Sequence, residues 1–293
     1  GDPRRFHPVS GFGRIARATE RALYADHRAA GALFTVVLVG GATGLGYGAD
    51  RLTRRRPLLR TAVTAAATWT VLGGRSLARE ATTIDGQLRR GDLPAARRQV
   101  THLVGRDPSQ LDAAGVARAT LESLAENTSD AVVAPLLWGA VAGPAGLLGY
   151  RAANTLDARV GHRTPRHERF GWASARFDDV LNLAPARLSA LLAAGLGGRP
   201  GAALRAWRRD AHRHPSPNAG PVEAAFAGAL GVTLGGVNVY HGVVEDRGTL
   251  GDGPPPQPAD LGRAVRLAAR VGVGALAVCT VLTVATRDVA RIT

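Results

Sequence analysis

Residues 119–139 read ATLESLAENTSDAVVAPLLWG, and the chain continues through YRAANTLDARVG (150–161) to FGWASARFDDVLNLAPARL (170–188). This stretch decides the fold. It sets Glu122, Glu126, Asp130, Asp157, Asp178 and Asp179 around an uncharged segment, 131–150, of about membrane-spanning length. Acids and amides at the edges of such a segment are costly unless they have a task, so the stretch reads as a catalytic centre at a membrane surface. Glu122, Glu126 and Asp130 are spaced i, i+4, i+8 and fall on one face of a helix. Three like charges in a row repel, and a cation or an arginine cluster relieves them. An ordinary solvated helix face is the plain alternative; Ser123, Asn127 and Ser129 beside the stripe weigh against it.

A second acid–amide group follows. Asn154 and Asp157 are one helical turn apart, and Asp178, Asp179 and Asn182 lie between Arg176 and Arg187, with Arg151 upstream. Such a set suits a divalent cation with phosphate. Mg2+ takes one or two carboxylates and completes its octahedron with water and phosphate oxygens, and Arg supplies bidentate donors to phosphate. Caps and salt bridges among the same residues are the competing reading. Pro135, Gly139, Gly143-Pro144 and Gly146 interrupt the uncharged segment, so a discontinuous or re-entrant helix is expected there. The same is expected of residues 183–198, which are short for a span and carry Arg187.

Working outward, residues 29–49 carry no charge, and at about 1.5 Å per residue they make about 30 Å of helix, the thickness of a hydrocarbon core. A buried helix of a soluble protein is the alternative. After the basic hinge DRLTRRRPLLR (50–60), residues 61–74 are apolar again, so the two segments read as a transmembrane hairpin. Residues 1–29 are polar, with a short amphipathic helix. Residues 75–118 are soluble in character; Asp92 is an N-cap with Pro94 in the first turn, and a further helix starts near Ser109 or Leu111. SPNAG (216–220) is a turn opening a helix whose exposed N–H groups could receive a phosphate. Residues 224–244 and 271–286 are again uncharged or apolar. The expectation is one all-α membrane domain over 1–293, a polytopic bundle with apolar runs near 29–49, 57–74, 131–150, 183–198, 224–244 and 271–286 and a polar catalytic face.

Composition narrows the chemistry. The net charge is +14, and all 37 basic residues are Arg. The absence of Lys excludes a Walker-type phosphate loop and a Lys Schiff base. The arginines are spread over the connecting segments without interleaved aromatics, which argues against nucleic acid. Anionic lipid and phosphorylated substrates remain as partners. Cys279 is the only cysteine, so there is no intramolecular disulfide, and a thiol nucleophile is disfavoured. His162, His167, His212 and His214 have no convincing ligand spacing.

Five motifs in order, GDPRRFHPV (1–9), the E…EN…D…APL run of 122–136, YRAANTLD (150–157), FGWASARFDDVLNLAPARL (170–188) and SPNAGPVEAAFAGALG (216–231), resemble the CbiB/CobD family of cobalamin biosynthesis, the adenosylcobinamide-phosphate synthases, over nearly the whole chain. One departure is Val222 between Pro221 and Glu223. The resemblance implies a multi-pass enzyme of the bacterial inner (cytoplasmic) membrane with its active site facing the cytoplasm. It would use ATP and Mg2+ to join a corrinoid, adenosylcobyric acid, to aminopropanol phosphate or aminopropanol, with other cobalamin-pathway enzymes as potential partners. It also implies an apolar segment before Gly1. On this reading Glu122, Glu126, Asp178 and Asp179 are catalytic, and Glu122, Glu126, Asp130 and Asp178 hold metal. Asp2, His7, Asn127, Arg151, Asn154, Asp157, Arg176, Asn182, Arg187, Ser216 and Asn218 bind substrate or phosphate. A non-catalytic membrane scaffold or sensor, and a transporter, are the alternatives. A single ATP site also requires that 131–149 not simply cross the bilayer, or that 183–198 and its neighbours fold back.

Overall fold

The computed structural model describes residues 8–105, 107–162, 164–240 and 243–292. The helices are α1 (Pro8–Leu23), α2 (Arg28–Thr53), α3 (Pro57–Val71), α4 (Gly74–Arg89), α5 (Leu93–Val100), α6 (Ala113–Thr128), α7 (Ala134–Val160), α8 (Trp172–Leu196), α9 (Pro200–Asp210), α10 (Ala219–Leu230) and α11 (Pro258–Ile292). A π-helical turn, Ser129–Val133, joins α6 to α7, and one antiparallel hairpin, β1 (Leu234–Tyr240) with β2 (Val243–Leu250), follows α10. Four helical stretches among the described residues are long and apolar enough to cross a membrane: Arg28–Thr53, Ala113–Val160, Trp172–Leu196 and Pro258–Ala285. Only 39% of the apolar window of α2 is buried, and Val36 and Leu45 are 68% and 69% exposed. A soluble core helix does not leave so much apolar surface in water. The protein is a helical, polytopic membrane protein.

The chain divides into two compact units built from interleaved segments. Unit 1 is Gly1–Leu72, Ala134–Asn182 and Ala277–Thr293; unit 2 is Gly73–Val133 and Leu183–Leu276.

In unit 1, α2 packs along α7, with α1 and α3 beside them. Glycines set the closeness. A Cβ on Gly31 would run into the backbone of Phe170, and one on Gly46 into that of Pro144. Phe34, Leu38, Leu156, Val160 and Phe170 fill the core between these helices. A buried hydrogen bond between the Thr35 and Ser174 hydroxyls (2.8 Å) ties α2 to α8. The expected break in 131–150 is present: Ala142 and Gly143 leave helical geometry, Gly143 at φ 58°, and Pro144 follows. The discontinuity expected of residues 183–198 is not: residues 183–196 continue α8 as one helix. Asp178, Asp179 and Asn182 sit inside one 25-residue helix, α8, which contains Pro185. Proline leaves the carbonyl four residues back without its helical donor. That carbonyl, Leu181 O, accepts instead from the Trp138 indole N–H at 3.0 Å, so the helix continues. The expected transmembrane hairpin is also revised. α3 has 15 residues, about 22 Å at 1.5 Å per residue, shorter than a hydrocarbon core.

In unit 2, α6 packs against α4, α5 and α10. Asp92 and Asp112 cap α5 and α6, their carboxylates accepting from Ala95 N–H (3.0 Å) and Gly115 N–H (2.7 Å). The π-turn displaces one carbonyl of the ladder, Ala131 O, onto Gly73 N–H (2.9 Å). The apolar run 224–244 is not a membrane helix. α10 is 12 residues long and ends where Gly231 takes φ 71°. The following Leu234–Tyr240 pairs with Val243–Leu250, Leu234 opposite Leu250. The hairpin is anchored by charge. Asp210, fully buried, accepts from Gly251 N–H at 3.0 Å, while Arg209 closes on the same carboxylate at 2.7 Å.

Candidate functional site

A buried polar relay in unit 1 runs between α7 and α8, from the middle of the two helices toward the joint between them. Tyr150 opens the YRAANTLD run and is buried. Its hydroxyl donates to Asn182 Oδ1 at 2.8 Å, and Asn182 Nδ2 donates to Asp178 Oδ2 at 2.9 Å and to Asp178 O at 3.2 Å. The residues of this relay are 2%, 2% and 7% exposed. One oxygen of Asp178 is thereby fixed, and the Asn154 side chain also hydrogen-bonds the carboxylate, although Oδ1 is buried with no donor in good geometry. A buried acceptor without a donor is unfavourable, and in a native fold it is commonly reserved for a ligand, ion or water. Asp157 and Asn154 lie near the same carboxylate. Arg151 Nη1 donates to Asn154 Oδ1 at 3.3 Å. The structure therefore brings Arg151, Asn154, Asp157, Asp178 and Asn182 together, and adds Tyr150, which the sequence reading did not single out though it heads the motif.

Asp179 and Arg176 leave this group. They pair with each other at 3.2 Å with side chains 32% and 59% exposed, as an i, i+3 surface pair. Adjacent residues on a helix point about 100° apart, so Asp178 faces inward and Asp179 outward.

Around the same joint, Glu20 of α1 accepts from His167 Nε2 at 3.0 Å and from Arg159 and Arg166 at 3.5 Å each. Burial opposes ionisation of Glu20, but His167, Arg159 and Arg166 outweigh it and hold the carboxyl below its ordinary value. His167 is thus structural. The folded carboxyl titrates below the unfolded one, near 4.5, so its stabilisation is present above that value and lost as pH falls through the folded value. Thermal unfolding of the protein in detergent should lose more midpoint between about pH 5 and pH 3 than that of Glu20→Gln. Equal slopes contradict a stabilising role for the Glu20 cluster.

Unit 2 holds the other predicted residues. Glu122 is 4% exposed and is committed to the backbone: Oε1 accepts from Gly235 N–H at 2.8 Å, while Arg118 Nη1 donates to Gly235 O at 3.0 Å. Together they hold both backbone polar groups of Gly235 at the start of β1, so Glu122 holds the hairpin. Asn127 Nδ2 donates to Ser123 O and Oγ, at 2.9 and 3.1 Å. Glu126 is half-buried on the same helix. Asp130 lies within the π-turn, where 3.6-residue spacing no longer fixes its direction, so the three-acid stripe is regular only through Glu126. Among the described residues no three His, Cys, Asp or Glu side chains come together as a metal group. Asp2 and His7 lie outside the described residues.

Arg187 and the SPNAG turn do meet. Arg187 Nη1 donates to Asn218 Oδ1 at 3.0 Å. The start of α10 is not open to a phosphate as expected, because Ser216 Oγ already accepts from Asn218 N–H (3.3 Å) and Ala219 N–H (3.1 Å). Ser216 N–H in turn donates to His214 Nδ1 at 3.0 Å, and His214 Nε2 is 3.7 Å from Glu223 Oε1, both side chains buried. Burial first, then the nearby Arg247 charge, push the His214 imidazole down to about 4. An unfolded histidine titrates near 6.5, so the fold loses stability as pH drops from about 6.5 toward about 4, on the order of 2–3 kcal/mol. His214→Asn should flatten that part of a stability-versus-pH curve; an unchanged slope contradicts a neutral buried ring.

These features define a class: a polytopic helical membrane protein with a buried carboxylate–amide relay at one helix joint and an arginine-bound asparagine turn elsewhere. Residues 1–268 match the family described as CobD/Cbib protein. The chain is 54% identical over 286 residues to the cobalamin biosynthesis protein CobD of Mycobacterium tuberculosis, covering 96% of this chain and 91% of that one. It is 48% identical to the protein of the same name from Chromobacterium violaceum (92% and 88% covered) and 45% identical to that of Geobacter metallireducens (89% and 84%). No solved structure matches. The chain belongs to the CobD/CbiB family of cobalamin biosynthesis proteins.

Proposed function

We propose that this protein is an ATP-dependent ligase that joins adenosylcobyric acid to aminopropanol phosphate, or to aminopropanol, through an amide bond. Membership of the family supports the pathway. The observation that carries the chemistry is Asp178, a buried carboxylate held by Asn182 and Asn154 beside Asp157, whose Oδ1 has no donor in good geometry. That oxygen is an acceptor prepared for a cation. In the reaction, the corrinoid carboxylate attacks the γ-phosphorus of ATP, releasing ADP and leaving an acyl phosphate. The amine then attacks the acyl carbon, and phosphate departs. Such steps depend chiefly on positioning and on neutralising charge.

The Asp157–Asp178 pair suits Mg2+, which takes one or two carboxylates; bound there, Mg2+ would neutralise phosphate charge. Asn154 and Asn182 orient Asp178, Tyr150 fixes Asn182, and Arg151 fixes Asn154. Asp179 and Arg176 are not assigned a part, and Glu122 is a positioning residue. In unit 2, Arg187 and Asn218 are proposed to bind an anion, and Glu126 keeps its proposed place as a substrate-binding acid. Because ATP is cytoplasmic, this reading sets the active site toward the cytoplasm of a bacterial inner membrane. The test is direct. The purified protein, given ATP, Mg2+, adenosylcobyric acid and aminopropanol phosphate, should release one ADP per amide formed. Corrinoid binding without ATP consumption contradicts the proposal.

A further inference from the structure

Unit 1 contains a cavity that the relay does not use. It has a volume of about 320 Å³ and lies between α1, α2, α3 and α7, within the range of small-ligand sites, about 300–1,000 Å³. Phe12, Leu38, Leu45, Val71 and Leu148 give it apolar walls, and among the described residues Arg151 is the one charged residue lining it. The space is open on one side, where Ile15 and Leu45 are exposed. Here the lining includes Gly41, where an added Cβ would meet nothing within 4 Å. Gly41 therefore leaves room that helix packing does not require.

The charge at its edge indicates what fills it. Residues 131–150 carry no charge, and Arg151 is the first charged residue after them, at the boundary where α7 becomes polar. An arginine so placed reaches headgroup level while its neighbours stay in hydrocarbon. α1, which supplies Phe12, is amphipathic and basic, with Arg14, Arg17 and Arg21, the pattern of a helix lying on an anionic surface. We propose that this cavity is a binding site for an anionic phospholipid, one acyl chain between α1, α2, α3 and α7 and the phosphate on Arg151. Zwitterionic lipid shares the chain but not the net charge, and the proposal commits to the anionic class. Arg151 also donates to Asn154, which lies beside Asp178, so lipid occupancy is linked to the orientation of the relay. The site itself does not rest on the ligase reading.

The test reads bound lipid, independently of activity. The protein is purified from nanodiscs holding equal phosphatidylglycerol and phosphatidylcholine, and retained lipid is measured by native mass spectrometry. Wild type should keep phosphatidylglycerol at least about fivefold over phosphatidylcholine. Gly41→Leu, which fills the cavity, should lower retained lipid at least about fivefold, and Arg151→Gln should bring the preference to within about twofold. Equal retention of the two lipids by wild type, undiminished retention by folded Gly41→Leu, or a second copy of the chain in place of lipid would overturn the proposal. If Gly41→Leu does not fold, Arg151→Gln still decides: an unchanged preference refutes it.

Discussion

Asp178→Asn is expected to lower amide formation by about a thousandfold or more, the scale lost when a preorganised charge at a reacting centre is removed. The substitution is nearly isosteric. Tyr150 and Asn182 keep their places, and the amide oxygen can still accept from Asn182 Nδ2, now 2.9 Å from Asp178 Oδ2. What is lost is the carboxylate and its buried Oδ1. A like charge beside Asp157 is removed at the same time, and the amide keeps an oxygen for Asn182 or Asn154, so the unfolding midpoint in lipid should hold or rise. Asp179→Asn is the matched control. Its exposed pair with Arg176 is worth at most about 1 kcal/mol, and turnover should change less than about threefold. Turnover by Asp178→Asn within tenfold of wild type contradicts the assignment, as does loss of turnover in both variants alike.

Gly31→Ala is expected to destabilise unit 1 by about 3 kcal/mol or more, through overpacking. Most helix glycines gain from this change, because Ala has the higher propensity. Here the new methyl would occupy the position of the Phe170 carbonyl. Phe170 packs in tilted contact against Phe34, ring centroids 5.1 Å apart, and Tyr24, at 5.3 Å, so it cannot retreat without opening the α1–α2–α7 core. Gly40→Ala, on the same helix with nothing within 4 Å of its Cβ, should be neutral or stabilising. Equal midpoints for the two variants by thermal denaturation would show that the close approach of α2 to Phe170 does not limit stability.

The contrast between those two glycines shows what the sequence could and could not convey. Caps were legible at Asp92, because their chemistry is local: an acid before Pro and an apolar period needs no distant partner. The break at Gly143-Pro144 was legible for the same reason. Continuity through Pro185 was not, since it depends on an indole 47 residues earlier, Trp138, which takes the orphaned Leu181 carbonyl. The hairpin was misread as an apolar run because uncharged Gly- and Val-rich sequence serves a buried strand as well as a membrane helix; its anchors, Glu122 and Asp210, come from other elements. At the site, residue types in the YRAANTLD and FDDVLN motifs pointed to acids and amides acting together, and Asn154, Asp157, Asp178 and Asn182 do lie near one another. The choice between Asp178 and Asp179, and the recruitment of Glu122 to a backbone clamp, were invisible because partners across helices decide both.

The most direct measurement follows oxygen. Adenosylcobyric acid labelled with oxygen-18 in the reacting carboxylate is given to the purified protein with ATP and aminopropanol phosphate, and the products are weighed. The account predicts one labelled oxygen in the inorganic phosphate, ADP equal to the amide formed, and neither in Asp178→Asn. Label in AMP, label retained in unreacted corrinoid while ATP is consumed, or amide formed without ATP would contradict it.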